Sequence, residues 1–220
     1  MPLYLNTTDA NVRTVKDFTR RDRIALPGAR SSIQAIILQM AAVQAFGADG
    51  ANRLDGLTVS MSHPDGYSAL INGTAGITGH FTSAPYMYEE LEHPNVHRVL
   101  NSYDVLGGPH TFNVVWATQR FANANPKVMT AFTDALKEAM AFITAHPKQA
   151  AQIWLNDEHS PLSLAAAEKM IQDPENEWTL VPKKIGAFAA FMAKEGLIRH
   201  VPASWSDVFF PAGVAGLAGN

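Results

Sequence analysis

The sequence contains no cysteine. Disulfides, thiolate-bound metals and a cysteine nucleophile are therefore excluded. No run is long and apolar enough to span a bilayer. The opening residues, Met1-Pro2-Leu3-Tyr4-Leu5-Asn6, lack the basic and apolar regions of an export signal. An excess of positive charge is missing too. Seventeen Lys and Arg face 20 Asp and Glu, a net charge of −3, which offers no basic face to a nucleic acid. The one basic cluster, Arg20-Arg21-Asp22-Arg23, is interrupted by acid and reads as a solvated turn. Walker, GxGxxG, GxSxG and HExxH patterns are all absent. What remains is a folded composition, 47% apolar and 17% charged over 220 residues. That suffices for one large domain or two modest ones.

The first half alternates short strands with helices. Leu3 to Leu5 is a strand candidate, and Val15 to Thr19 a turn or small helix. Arg23 to Leu26 is a short buried strand, stopped by Pro27-Gly28. Ser31 and Ser32 open a helix that buries Ile33, Ile36, Ile37, Met40 and Ala41 on one face and ends at Gly47. Leu57 to Met61 alternates as a strand. His63-Pro64-Asp65 starts a helix with proline in its first turn, which Gly73 caps. Ile77 to Phe81 is a further strand, Thr82 to Pro85 opens a third helix, and Val96 to Leu100 is the fourth strand after Leu3 to Leu5. Such alternation predicts a parallel or mixed sheet covered by helices.

Beyond Gly107-Gly108-Pro109 the character changes. Asn113 to Ala117 is predicted as one last strand, able to pair with Leu3 to Leu5. The rest reads as helix. Asn125-Pro126 is a cap followed by a long amphipathic helix through Val128, Phe132, Leu136, Met140 and Ile143. Others start at Pro147, near Ser163 and at Pro182. Trp205, Phe209 and Phe210 close the helical core, and the small, Gly-rich tail from Gly213 frays.

Two strand-to-helix turns are candidate sites. Gly28-Ala29-Arg30-Ser31-Ser32 could hold an anion on free N–H groups, hydroxyls and the Arg30 charge. The simpler reading, that a serine caps its own helix, is favoured by spacing alone. In Gly79-His80-Phe81-Thr82-Ser83-Ala84-Pro85-Tyr86, His80 and Tyr86 add a titratable ring and an amphipathic aromatic. Here a satisfied core histidine and a binding turn stand as equal readings, because two such turns from one sheet can converge on one crevice. The eight histidines are scattered and read as surface residues. Glu89 and Glu90 are neighbours that point apart on a helix.

These segments together resemble a known family. Val15-Lys16-Asp17-Phe18, Asp22 to Pro27, Ser31-Ser32-Ile33-Gln34 and Leu38 resemble the entry to the second lobe of nitrate/sulfonate/taurine-type (NMT1/THI5-like) binding proteins. Pro64 to Leu70 followed by Gly73 resembles the family's helix that ends before a strand, Ile77 to Pro85 its following strand and proline turn, and Asn125-Pro126 with its long helix the return into the first lobe. Thr78 stands where the family carries Asp, which bears on ligand choice. The resemblance implies an α/β, type II periplasmic-binding-protein fold. One α/β lobe is complete, at residues 12–108, and is the second lobe of the family. Residues 1–11 and 109–220 form crossing strands and the helical C-terminal part of the first lobe. The family's N-terminal part is expected to be missing, leaving an exposed apolar edge and a tendency to self-association.

The implied function is that of the solute-binding component of an ABC importer, periplasmic and not an enzyme. It would hold a small anionic organic solute (sulfonate, nitrate, taurine or related) between two lobes and present it to a membrane permease. Arg30, Ser31, Ser32, His80, Thr82, Ser83 and Tyr86 would bind it, with no cofactor, no metal and no nucleic acid. Two alternatives share the fold. One is a protein that binds or makes the thiamine pyrimidine precursor, whose synthase form uses a pyridoxal cofactor and a cysteine-rich iron motif that this chain lacks. The other is the effector-sensing domain of a transcription regulator.

Overall fold

The structure is a computed structural model describing residues 1–220, with Ala212 described by its backbone only. The chain forms two compact units. One comprises residues 2–109 with 194–197, the other Met1 with residues 110–193 and 198–220.

The first unit is a mixed α/β layer structure. Its elements are β1 (Tyr4–Thr7), β2 (Ile24–Leu26), α1 (Ile33–Phe46), β3 (Thr58–Ser60), α2 (His63–Asn72), β4 (Gly79–Thr82), α3 (Tyr86–Leu91), β5 (His97–Asn101) and α4 (Ser102–Leu106). The sheet order is β3-β2-β4-β1-β5. β2 runs parallel to β3 and β4, while β1 is antiparallel to both β4 and β5. Four strands thus point one way and β1 alone runs against them.

Burial explains the strands. β2 reads Ile-Ala-Leu and is buried throughout, as a strand covered on both faces must be. β1 is also buried along its length although it carries Asn6 and Thr7. Leu5 and Phe81 lie directly opposite one another across β1 and β4, each with 0% exposure. A second cluster, Ala25, Ala69, Leu70, Ile77 and Val96, ties α2 to the sheet.

Helix α1 differs from the one-faced helix expected. Its buried set includes Gln34 through Gln39 with Ala41 and Ala42. The reason is a second neighbour: a 3₁₀ stretch, Ala48–Leu57, folds back along it. Gln39 bonds there to Asn52 and Asp55 at 3.1–3.3 Å. α2 begins at the Ser62 cap, carries Pro64 in its first turn and ends at left-handed Gly73 (φ 62°).

The second unit holds α5 (Gln119–Ala124), α6 (Pro126–Ala145), α7 (Pro147–Asp157), α8 (Leu164–Ile171), most of α9 (Ile185–Lys194) and α10 (Pro211–Val214). Ala151 and Leu155 of α7 pack on Ala167 of α8, flanked by Trp154, Leu162, Leu164 and Ile171.

Four expectations are corrected here. Asn113 to Ala117 forms no strand, and Val114, Val115 and Trp116 are 58%, 71% and 82% exposed. Its β-rich composition finds no partner, because β1 already has β4 on one side and β5 on the other. Asn125 stands at the N-cap of α6 but its side chain makes no capping bond; its amide donates backwards to the Phe121 carbonyl at 2.9 Å. The helix expected from Pro182 starts at Ile185. The tail is anchored and not frayed: Ile185 N–H donates to the Asn220 carbonyl, and Asn220 N–H to that of Pro182.

Replacing Phe81 by alanine should lower unfolding stability by about 3–5 kcal/mol in urea titrations, the usual range for emptying a filled aromatic core position. Val115→Ala, on the exposed segment, should change it by no more than about 0.5 kcal/mol.

Candidate functional site

Because β2, β3 and β4 run parallel, their carboxyl ends lie on one edge of the sheet. The chain leaves each of them through a short turn into a helix: residues 27–32 into α1, residues 61–62 into α2, residues 83–85 into α3. In open α/β sheets this edge is where ligands bind. The turns touch: Ala29 N–H donates to Ser60 Oγ at 3.0 Å, and Gln34 Nε2 of α1 lies 3.4 Å from Nε2 of His63 of α2.

Running inward from that edge is a line of buried polar groups. Asn6 of β1 and His80 of β4 are directly paired in the register, so their side chains share one face. α3 covers that face and sets Glu90 across both. Asn6 Nδ2 donates to Glu90 Oε2 at 2.9 Å, and His80 Nδ1 lies 2.5 Å from Glu90 Oε1. His80 Nε2 is 3.2 Å from Nδ1 of His63, which Thr82 Oγ1 also reaches at 2.9 Å. Asn6, His80, Thr82 and Glu90 each have 0% exposure. The fit is close: a Cβ on Gly66 of α2 would stand 2.6 Å from His80 Nε2. His63 is half-buried. Its ring centroid is 6.2 Å from that of Tyr86, which is 5.7 Å from that of Tyr67.

Burial, then the neighbouring His80, lowers the His63 pKa to about 4. Tyr86 is pushed up by burial and by Glu89; Tyr67 by burial, Glu89 and Glu90. The Glu89 carboxyl is also raised, by burial and then by Glu90. In the second unit, burial lowers the His110 pKa to about 4.

Of the residues expected at the site, His80, Thr82 and Tyr86 meet around His63. Ser83 is buried beside Thr82, its hydroxyl turned to the Ala84 carbonyl at 3.4 Å. Ser32 Oγ accepts from Ala35 N–H at 3.2 Å and caps α1. Ser31 is exposed, and the Ser31 and Ser32 N–H groups both donate to the Gly28 carbonyl. Those two amides are thus spent inside the turn. The Arg30 side chain is 74% exposed and lies 3.5 Å from Asp55. Thr78 sits before β4, at the far end of that strand, where its hydroxyl donates to Asp22 at 2.9 Å.

The view of the histidines as surface residues does not hold for His80, at 0% exposure, or for His110, at 3%. Sequence reading missed His63, Glu90, Asn6 and Gln34. A signal existed for one of them: Asn6 interrupts a strand that is otherwise fit for full burial, and such a group needs a partner. Among the described residues, no group of three or more His, Asp or Glu could hold a metal ion.

The family described as NMT1/THI5 like matches residues 4–150, well over half of the chain. The chain belongs to the NMT1/THI5-like family. Two solved structures resemble it. One is the periplasmic aliphatic sulphonate binding protein SsuA of Escherichia coli, at 16% identity and a TM-score of 0.63, covering 94% of this chain and 69% of that one. The other is described as the periplasmic sulfonate-binding protein SsuA of a sulfonate ABC transporter in Methylobacillus flagellatus KT, at 17% identity and a TM-score of 0.61, covering 97% of this chain and 64% of that one. At these identities the likeness carries the fold alone. No curated protein matches the chain. For this NMT1/THI5-like chain, the shared architecture is a mixed sheet with flanking helices, and the edge described above is built by that sheet.

A base with a lowered folded pKa stays neutral in the fold but takes up a proton when unfolded. The unfolded state therefore binds more protons between pH 6.5 and about 4, the folded values of His63 and His110. Stability is full above pH 6.5 and falls as pH drops through that window. Urea midpoints measured from pH 7.5 to 4 should fall accordingly, and His63→Gln with His110→Gln should flatten the slope.

Proposed function

We propose that the chain is the solute-binding component of an ABC importer, taking a small anionic organic solute such as a sulfonate, nitrate or taurine. The carrying observation is the convergence of three strand ends, and of the first turns of α1 and α2, on one edge. The positive ends of α1 and α2 favour an anion there. The side chains at that edge, His63, Thr82, Tyr86 and Tyr67, are hydrogen-bonding groups that can hold a solute without attacking it. The solved relatives are sulfonate binders by description, which supports the same solute class here. A periplasmic location and a membrane permease as partner go with this reading. So does the division into residues 12–108 as one lobe and residues 1–11 with 109–220 as crossing segments and helical part of the other.

Self-association belongs to the proposal as well. Val114, Val115 and Trp116 are more than half exposed, and Val128 and Phe132 of α6 are 52% and 47% exposed. Light scattering at about 100 µM should show species larger than a monomer, as apolar patches of this kind promote. Trp116→Ser with Val115→Ser should shift them toward monomer. A clean monomer for the unaltered chain would remove this part.

Titration calorimetry with alkanesulfonates, taurine and nitrate should give saturable binding by at least one of them, with no product formed. Ser31→Ala with Ser32→Ala should weaken it by no more than about tenfold, since Ser32 acts through its cap. His63→Ala should weaken it more. Flat traces for every solute would overturn the reading.

A further inference from the structure

We infer that Tyr67, Tyr86 and Glu89 form a cation subsite beside the edge, and that the preferred solute is a zwitterion. Its ammonium group lies against the two rings and the Glu89 carboxylate, and its anionic end at the starts of α1 and α2. This rests on the binding reading above and adds to it which kind of solute is favoured.

Two helices in contact, α2 and α3, build the subsite. Tyr67 stands one turn after His63 on α2, and Glu89 one turn after Tyr86 on α3, so the members of each pair are neighbours on their helix. The Tyr86 ring centre is 5.7 Å from that of Tyr67, at an interplanar angle of 46°, and 6.2 Å from that of His63. Tyr67, Tyr86 and Glu89 are all half-buried, so each keeps part of its surface open. The two adjacent glutamates diverge. Glu90 turns inward to Asn6 and His80. Glu89 lies toward the tyrosines: its charge contributes to the raised pKa of both phenols. Yet among the described residues its carboxylate has no hydrogen bond and no ion pair. Burial, then Glu90, raises its own pKa.

Charge balance separates the solutes. Arg30 of the turn into α1 is held by Asp55. Asp65 of α2 is held by the Ser62 hydroxyl, and Glu90 by Asn6 and His80. The Tyr67 hydroxyl meets His93 Nε2 at 3.3 Å. Glu89 alone of these acidic groups is left without a match. A purely anionic solute at this edge would sit beside that carboxylate, and like charges repel. An ammonium group on the solute turns the repulsion into attraction. It donates a charge-assisted hydrogen bond to the carboxylate, and the faces of tyrosine rings attract the same charge within about 6 Å of their centres. Aromatic rings grouped in this way are how ammonium ligands are recognised elsewhere. The His63 ring, with its pKa lowered to about 4, is neutral at pH 7 and brings no competing charge. Its centre and that of Tyr86, 6.2 Å apart, set the two ends of the solute a short carbon chain from one another.

Calorimetry at pH 7.5 with taurine and ethanesulfonate, which differ only in the amino group, tests the subsite. Taurine should bind about tenfold more tightly or better, through one charge-assisted bond and the ring contacts. Glu89→Gln should remove most of that preference while leaving ethanesulfonate binding within about threefold. Tyr86→Leu should reduce the preference, and Tyr86→Phe, which keeps the ring, should retain it. Equal binding of the two solutes by the unaltered chain, or a taurine preference untouched by Glu89→Gln, overturns the inference and leaves the functional proposal intact. Binding of nitrate with neither sulfonate bound does the same. Flat traces for all three overturn the functional proposal and the subsite with it.

Discussion

The α/β unit depends on one carboxylate. Glu90 lies at 0% exposure over the middle of the sheet, where a charged group without partners would be untenable. It is held because β1 and β4 bring Asn6 and His80 into direct register beneath it. The dependence runs both ways: Asn6 and His80 are tolerated inside a sheet buried on both faces only because α3 delivers an acceptor to them. Such an arrangement adds little net stability, since desolvation offsets much of the attraction. It fixes geometry instead. A shift of β1 against β4 by one residue would turn Asn6 and His80 to opposite faces and strand the carboxylate. The register of the sheet, the seat of α3 and the posture of His63 at the edge are thus set by a single set of hydrogen bonds.

The α/β half of the chain was legible because its signals are local. Ser32, Ser62, Pro64, Gly47 and Gly73 mark helix ends by their own chemistry, and the structure places boundaries beside them. Ile24 to Leu26 is too short and too apolar to be anything but a buried strand. The failures are non-local. Nothing in Val114-Val115-Trp116 says that β1, the partner expected for it, already has both sides occupied. Nor does Asn125 announce that its amide turns back to Phe121 and not forward. The site divides the same way. Strand-to-helix turns could be found from spacing, so His80, Thr82 and Tyr86 were named. Gln34, His63 and Glu90 enter from three other helical positions, and only the stacking of α1, α2 and α3 brings them into line.

The two units differ in how they use apolar residues. In the first, β1, β2 and β4 are buried along their whole length, so polar groups on them such as Asn6 and His80 call for partners. In the second, a helix of 20 residues, α6, buries only Thr133 among its side chains. Its amphipathic pattern is a real property of the sequence, and a long helix of that kind owes its stability more to what lies on its apolar stripe than to intrinsic propensity. α7 and α8 show the contrast, closing Ala151, Leu155 and Ala167 into a small complete core.

The placing of β1 has a consequence for biosynthesis. Leu5 pairs with Phe81 on one side and Leu100 on the other, so β1 cannot be enclosed until nearly a hundred residues beyond it have left the ribosome. Through that interval its Tyr-Leu segment is exposed to whatever binds nascent chains, and closure of the sheet is a late event whose rate is governed by a long loop search.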